Sequence, residues 1–312
     1  MDRIWARARA KVNLTLDILA RRDDGYHDIA SVMHTVGLAD EVGVSLNGTG
    51  VVTLRVKGAE LPEDSRNLAW RAAASVLTAA RGKGAGPSAG IDVELVKKVP
   101  FEAGLAGGSS DAAVTAHLAN LALGCPLDDE ELLCIAKNLG SDVPFLLKGG
   151  AALAGKSGDE LIPLDLSEGL PIVIAKPRAG LPTSLMYRAW DEQNPEGRAG
   201  RKDAPTGTER FMEALRRDGP REALMCLHND FEELAAIAVP EVAGLKSTML
   251  GKGALSALMS GSGTAVYGIF EDEAEARSAE EAAKVRFDGI FTAVSKLDPV
   301  RGIPMLRRGE GE

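Results

Sequence analysis

The segment Gly104-Leu-Ala-Gly-Gly-Ser-Ser110 holds the residue types that most directly suggest chemistry in this 312-residue chain. It lies between a strand-like alternation and an alanine-rich stretch of helical character. Glycines permit positive φ and let a backbone approach a ligand closely. Successive N–H groups at a helix start, with the positive end of its dipole, form a site for anions such as phosphate. Ser109 and Ser110 add hydroxyl donors. The same letters also describe a plain turn with Ser109 as the N-cap, and the segment alone does not choose. It is not a Walker loop, because no Gly-Lys-Ser/Thr follows, and it is not G-x-G-x-x-G. Taken singly, Lys11 reads as a solvated strand-face residue. Asp142, in Gly140-Ser-Asp-Val-Pro-Phe145, reads as a helix cap. The four histidines have no metal spacing, so no protein-bound metal is expected.

The elements that must position these residues follow from periodicity. Ala6, Ala8, Ala10, Val12, Leu14, Leu16 and Ile18 alternate with Arg7, Arg9, Lys11, Asn13, Thr15 and Asp17. That predicts one strand over 6–18 with one buried face and one polar face. Lys11 and Asn13, two residues apart, share the polar face. A strand is expected near 29–36, and a hairpin of 41–46 with 51–56 around Asn47-Gly48. Helical spacing covers 67–80. A strand over 91–99 leads into the glycine segment, and the helix after it runs to about residue 123. A helix over 128–139 has Asp128 as N-cap and three acidic residues in its first turn. Later, strands at 255–259 and 265–270 bracket Ser260-Gly-Ser-Gly263, with a further strand at 171–175 and a helix at 273–285. Residues 191–209, rich in charge, proline and glycine, read as a flexible surface excursion. The whole is an α+β chain of two lobes, 1–160 and 161–300, with 301–312 as a loose tail.

A net charge of −9 argues against a general nucleic-acid partner, whose footprint is basic. It does not exclude a small anionic ligand, because phosphate sites are built from local N–H groups. Three cysteines without C-x-x-C spacing speak against disulfides and for a reduced, cytoplasmic setting. No apolar run reaches about 18 residues, so no membrane partner is expected.

The glycine segment resembles the phosphate loop of the GHMP kinase superfamily, with Pro100 before it and the Ser-Ser pair at its end. Ala10-Lys-Val-Asn-Leu14 and Met259-Ser-Gly-Ser-Gly-Thr-Ala265 are similar to that superfamily's other two signatures. Within it, the runs from Lys11 to Leu16, Arg22-Asp-Asp-Gly-Tyr-His27 and Gly140 to Phe145 resemble one branch. That branch phosphorylates a methylerythritol bearing cytidine diphosphate, in the non-mevalonate isoprenoid pathway. Asn67-Leu68, Pro182-Thr183 before Tyr187, and Asn229-Asp230-Phe231 continue the likeness over about residues 5–270.

The resemblance implies a two-lobe GHMP fold with the active site between the lobes. It implies ATP with Mg²⁺, and phosphorylation of the 2-hydroxyl of 4-diphosphocytidyl-2-C-methylerythritol by a monomer or weak homodimer. It places Pro100, Gly104, Leu105, Ala106, Gly107, Gly108, Ser109 and Ser110 at the nucleotide. Asp142 becomes the base that deprotonates the alcohol, and Lys11 the cation that keeps it ionised. Asn13, Tyr26, His27, Thr183, Tyr187, Gly261 and Ser262 fall at the acceptor. There Tyr26 and His27 would recognise the cytosine ring, with Tyr187 as its opposite stacking face. Thr183 would line the methylerythritol end. Glu102, Ala103 and Ala106 stand where glycines are common. Alanine at 106 is a mild change where φ is negative, and Glu102 sets a carboxylate beside the phosphate site. Three rival readings are a sister kinase for another alcohol, a non-catalytic nucleotide sensor and a structural protein. Gly25-Tyr-His27 speaks against the first, Lys11 with Asp142 against the second, and the ordered set of motifs against the third.

Overall fold

The computed structural model describes residues 3–155, 160–195 and 205–306. The first alternating segment forms two strands, β1 (Ile4–Asn13) and β2 (Thr15–Arg21), instead of one. Leu14 breaks the run, and its N–H donates to the Val32 carbonyl at 2.7 Å. Both strands pair with β3 (His27–Asn47), a 21-residue strand that unites the segments expected at 29–36 and 41–46. Arg9 faces Ala39, whereas Lys11 faces Thr35. Three residues of β3 therefore stand opposite Ala10 alone, a bulge beside Lys11 of the kind that bends a strand. The polar face is also not solvated. Arg9, Lys11, Asn13, Thr15 and Asp17 are all buried, and Arg7 alone of that series is exposed.

The expected hairpin at Asn47-Gly48 is absent. β4 (Val52–Lys57) runs parallel to β5 (Gly90–Val96), and β5 lies between β4 and β3. Between them the chain passes through α1 (Leu68–Gly82), whose Asn67 side chain caps it at Ala69 N–H. Burial decides the order. Ile91, Val93 and Leu95 of β5 are almost wholly enclosed, while β4 contributes only Leu54 to the buried core, so the more apolar strand takes the inner position. α1, α2 (Gly107–Ala122), α3 (Asp129–Leu139) and α4 (Val143–Lys148) join this sheet in one core of small alanines against Val42, Val44, Ile91 and Leu95. Asp128 is the N-cap of α3, as expected, and with Glu131 it forms a capping box.

β6 (Ala151–Gly155) pairs with β3, and β7 (Glu160–Leu164) pairs with β6. A lobe boundary after residue 160 thus falls inside the first sheet. The second sheet contains β8 (Pro171–Lys176), β10 (Ser256–Met259), β11 (Val266–Ile269) and β12 (Phe291–Lys296), in the order β10-β11-β8-β12. β8 is buried on both faces. Ile172 and Ile174 join Ala10, Val12, Leu105 and Tyr267 in a core shared by the two sheets. Val173 and Ala175 belong to a third core with α5 (Thr183–Gln193), α8 (Glu232–Ala238), α9 (Glu241–Gly251) and α10 (Glu273–Arg286). α6 (Gly207–Arg217), α7 (Pro220–Ala223) and β9 (His228–Asn229) carry the chain back to the first sheet, where β9 pairs with β2.

The excursion expected at 191–209 begins and ends in helix. Residues 191–193 finish α5, and Thr206 with Glu209 forms the capping box of α6. Residues 196–204 lie outside the described residues. The tail is likewise not loose where it is described. β13 (Met305–Leu306) pairs with β1, and the buried Arg9 guanidinium donates to the carbonyls of Val300 and Gly302 at 2.7 and 2.5 Å. Arg9 also pairs with Asp298 at 3.2 Å. A chain ending at Leu297 therefore strands a buried cation. Its unfolding free energy in urea is expected to fall by about 3–5 kcal/mol, and Arg9→Met in the shortened chain to restore part of that loss. An unchanged urea midpoint on truncation contradicts this role.

Candidate active site

The glycine segment bridges the end of β5 and α2 with three residues at positive φ: Glu102 at 48°, Gly104 at 73° and Ala106 at 54°. Ala106 is the N-cap of α2, so the condition for a mild replacement, a negative φ, is not met. The left-handed conformation costs a non-glycine residue about 1–2 kcal/mol. Ala106 offers no side-chain cap to α2, so Ser109 is not the N-cap either. The first N–H groups of a 16-residue helix are left for another acceptor. Gly104 to Gly108 line a cleft of about 790 Å³, together with Lys97, Lys98, Pro100 and Phe101. Nothing lies within 4 Å of where a Cβ on Gly108 would stand, which leaves room for phosphate oxygens. Ser110 is turned away. It is buried, and its hydroxyl donates to the Arg9 carbonyl at 2.7 Å, fastening α2 to β1.

The loop meets the turn at 260–263 backbone to backbone. A Cβ on Gly104 would stand 2.0 Å from the Ser260 carbonyl oxygen, and one on Gly261 3.1 Å from that of Gly104. Ser260 is fully buried, and its hydroxyl donates to the Gly104 carbonyl at 2.9 Å. It also accepts from the Asn13 N–H at 3.2 Å. Asn229 holds the far side of this turn through the carbonyls of Met259 and Gly261, both at 2.8 Å. Glu102, the carboxylate beside the phosphate site, lines the same cleft and lies against Gly180 in the second lobe. There its charge opposes the burial that lowers the Lys176 pKa.

Lys11 and Asp142 come together between the loop and α4. Lys11 Nζ donates to Asn13 Oδ1 at 2.5 Å and stands 3.8 Å from Asp142 Oδ2. The Lys11 side chain is 5% exposed and that of Asp142 34%, so the cation is enclosed and the carboxylate reaches the cleft. Asp142 occupies the N-cap position of α4 but makes no capping hydrogen bond. Its carboxylate is thus free of the structural duty its position suggests. Asn13 is oriented by Ser31, whose hydroxyl accepts from the amide at 2.7 Å and donates to the Thr15 carbonyl at 2.6 Å. The Tyr267 hydroxyl donates to the Asn13 carbonyl at 2.9 Å.

A second groove of about 1210 Å³ is lined by Tyr26, His27, Thr183, Tyr187 and Arg188. It shares Ile29, Ser141, Thr183 and Tyr187 with the first cleft, so the two adjoin next to Asp142, which lines the first. His27 and Tyr187 stack on each other at 4.6 Å and 16°. Rings that already touch leave no gap for a base between His27 and Tyr187, so a base stacked on Tyr187 would meet its other face. Tyr26 is 74% exposed and keeps its ring open to the groove. Burial pushes the Tyr187 hydroxyl up to about 12, and the charge of Asp142 adds to this. Thr183, at the start of α5, shares a 2.8 Å hydrogen bond with Ser262.

Several contributors escaped the sequence reading. Asp191 accepts or shares the His27 Nε2 bond at 2.7 Å. Its place four residues after Tyr187, on one helix face, was an available signal. Ser31 and Tyr267 carried none, because each meets Asn13 only through tertiary packing.

Comparison with known proteins agrees with this geometry. Residues 67–150 match the family described as the GHMP kinases N terminal domain, and residues 211–288 match GHMP kinases C terminal. A protein of Pelotomaculum thermopropionicum named 4-diphosphocytidyl-2-C-methyl-D-erythritol kinase is 38% identical, over 91% of this chain and 94% of its own. A protein of the same name from Geobacter sulfurreducens is also 38% identical, over 92% and 96%. A crystal structure of 4-(cytidine 5'-diphospho)-2C-methyl-D-erythritol kinase superposes with a TM-score of 0.74 at 34% identity, over 94% of this chain and 99% of its own. With the glycine loop, the Lys11–Asp142 pair and two adjoining clefts in place, the chain belongs to the 4-diphosphocytidyl-2-C-methyl-D-erythritol kinase family of GHMP kinases.

Proposed function

We propose that the chain transfers the γ-phosphoryl group of ATP, taken as its magnesium complex, to the 2-hydroxyl of 4-diphosphocytidyl-2-C-methyl-D-erythritol. The carrying observation is that Asp142, paired with Lys11, lines the first cleft where the second adjoins it through Ser141 and Thr183. Phosphoryl transfer is mostly positioning and charge stabilisation, and the acceptor alcohol must lose its proton. Asp142 takes that proton as the alcohol oxygen attacks phosphorus and ADP leaves. Lys11, enclosed and 3.8 Å away, stabilises the charge developing between the carboxylate and the alcohol. Asn13 keeps the ammonium in place from its other side. The uncapped N–H groups of α2 and its dipole receive the phosphates, and the crossing at Gly104 sets their position.

Tyr26 offers the exposed ring face for the cytosine. His27, tied to Asp191 and stacked on Tyr187, forms the wall beside it. Thr183 and Ser262 close the end nearest the transferred group. A cytoplasmic setting belongs to the same reading, with Cys125, Cys134 and Cys226 all unpaired. No single helix among the described residues is long and apolar enough to cross a membrane.

A coupled ADP-release assay with the cytidine diphosphate substrate, mevalonate, homoserine and galactose tests the substrate. Turnover only with one of the latter three overturns it, and release with none favours a nucleotide sensor. Asp142→Asn is expected to lower kcat by about 10²–10⁴ in a protein that still folds. Near-wild-type turnover removes Asp142 as the base. Tyr26→Ala is expected to raise KM for the cytidine substrate by about 5- to 100-fold through lost base stacking, leaving KM for ATP alone. Equal effects on both would place Tyr26 outside the base site. Gly104→Ala, whose new methyl meets backbone, is expected to lower stability and raise KM for ATP together.

A further inference from the structure

Behind the first turns of α2 lies an ionised cluster that the transfer chemistry does not use. Asp111 follows Ser110 directly and is 2% exposed. Its Oδ2 accepts from Lys97 Nζ at 2.6 Å. The same ammonium donates to Asp40 Oδ2. Asp40 is fully buried, and its other oxygen accepts the N–H groups of Lys98 and Val99 at 2.5 and 2.8 Å. Asp111 Oδ1 is enclosed and has no hydrogen-bond partner.

The cluster touches the nucleotide cleft at two points. Lys97 lines it, and a Cβ on Gly107 would stand 3.6 Å from Asp40 Oδ2. Among the described residues the other elements packed on α2 bring no further charge to Asp111. α1 presents Ala69, Ala72, Ala73 and Val76, α3 presents Leu132, Ala136 and Leu139, β5 presents Val93 and Leu95, and α4 presents Val143 and Phe145. β1 offers the Arg9 carbonyl to Ser110, while the Arg9 guanidinium is engaged at residues 298–302. With both carboxylates ionised the trio carries one net negative charge, close behind a helix end that is to receive a polyphosphate. Neutralising one carboxylate removes that repulsion and the cost of an orphaned anionic oxygen.

We propose that Asp111 is a positioning residue of the nucleotide site, and that its carboxyl becomes further protonated from solvent when a nucleoside polyphosphate settles at the start of α2. The inference rests on the reading of the glycine loop as the phosphate site. Desolvation already pushes the Asp111 carboxyl up, with Lys97 opposing and Asp40 adding, to about 7 in the free protein. Added negative charge at α2 raises it further. Nucleotide affinity is then greatest below this range and declines as pH rises through the value of the bound state. The decline is at most about tenfold per pH unit for one proton.

Calorimetric titration of ADP into the protein at pH 7.5, in buffers of different ionisation enthalpy, counts the protons. The wild type is expected to take up a fraction of a proton between zero and one. Asp111→Asn is expected to abolish that uptake and flatten the dependence of ADP affinity between pH 7 and 8.5. The titration of ADP itself is common to both proteins, so the difference reports Asp111. Lys97→Gln removes the opposing cation, leaves Asp111 neutral before ADP arrives, and is expected to lose the uptake as well. This second variant decides the matter if Asp111→Asn does not fold. ADP heat that is identical in every buffer for the wild type overturns the proposal, as does undiminished uptake in a folded variant. No ADP heat at all in the wild type instead overturns the phosphate-site reading beneath it.

Discussion

An ammonium enclosed on a strand face is the constraint on which the rest of this structure depends. Removing a charge from water costs several kcal/mol unless it is compensated in place. Lys11 is compensated by Asn13 Oδ1 and, at longer range, by Asp142. Each partner needs its own support. Asn13 is turned by Ser31 and gripped through its backbone by Ser260 and Tyr267. Asp142 is delivered by a short helix that does not use its side chain as a cap. The longer separation to Asp142, and the greater exposure of that carboxylate, leave it open to the cleft.

The same strand joins the two sheets. Its apolar residues Ala10 and Val12 share a core with Ile172, Ile174 and Tyr267 of the second sheet. Its backbone N–H at Lys11 donates to the Leu105 carbonyl, and its carbonyl at Arg9 accepts from Ser110. The glycine loop, Asp142 and the 260–263 turn are thus all referred to β1. The glycines at 104 and 261 allow two backbones to cross where any side chain would force them apart. Positive φ at Ala106 shows that loop shape prevails over local preference, because its neighbours over-determine it.

Much of this was legible in local pattern. The N-cap of α3, the helix following the glycine segment and the alternation of the first segment are short-range effects, settled by neighbours within a few residues. The motifs at Lys11, Gly104, Asp142 and Ser260 were visible as separate strings. Non-local choices were not visible. The Asn47-Gly48 turn signal is real, yet β5 inserts beside β3 because its Ile91, Val93 and Leu95 bury more apolar surface than β4 does. The final segment reads as loose, yet it docks because Arg9 must find carbonyls and a carboxylate.

By itself the sequence determined the residue types for phosphoryl transfer, their order, and the strand and helices that carry them. Those depend on spacing and composition, which a linear string contains. Only the tertiary structure decided that the polar face of β1 is enclosed and that Asp142 is not spent as a cap. It also decided that His27 lies against Tyr187, leaving Tyr26 as the free ring, and that Asp111 joins Lys97 and Asp40 behind the loop. Each of those outcomes depends on which distant surface covers a side chain. Burial, rather than residue type, then sets whether a charge is solvated scenery or a group that must find a partner.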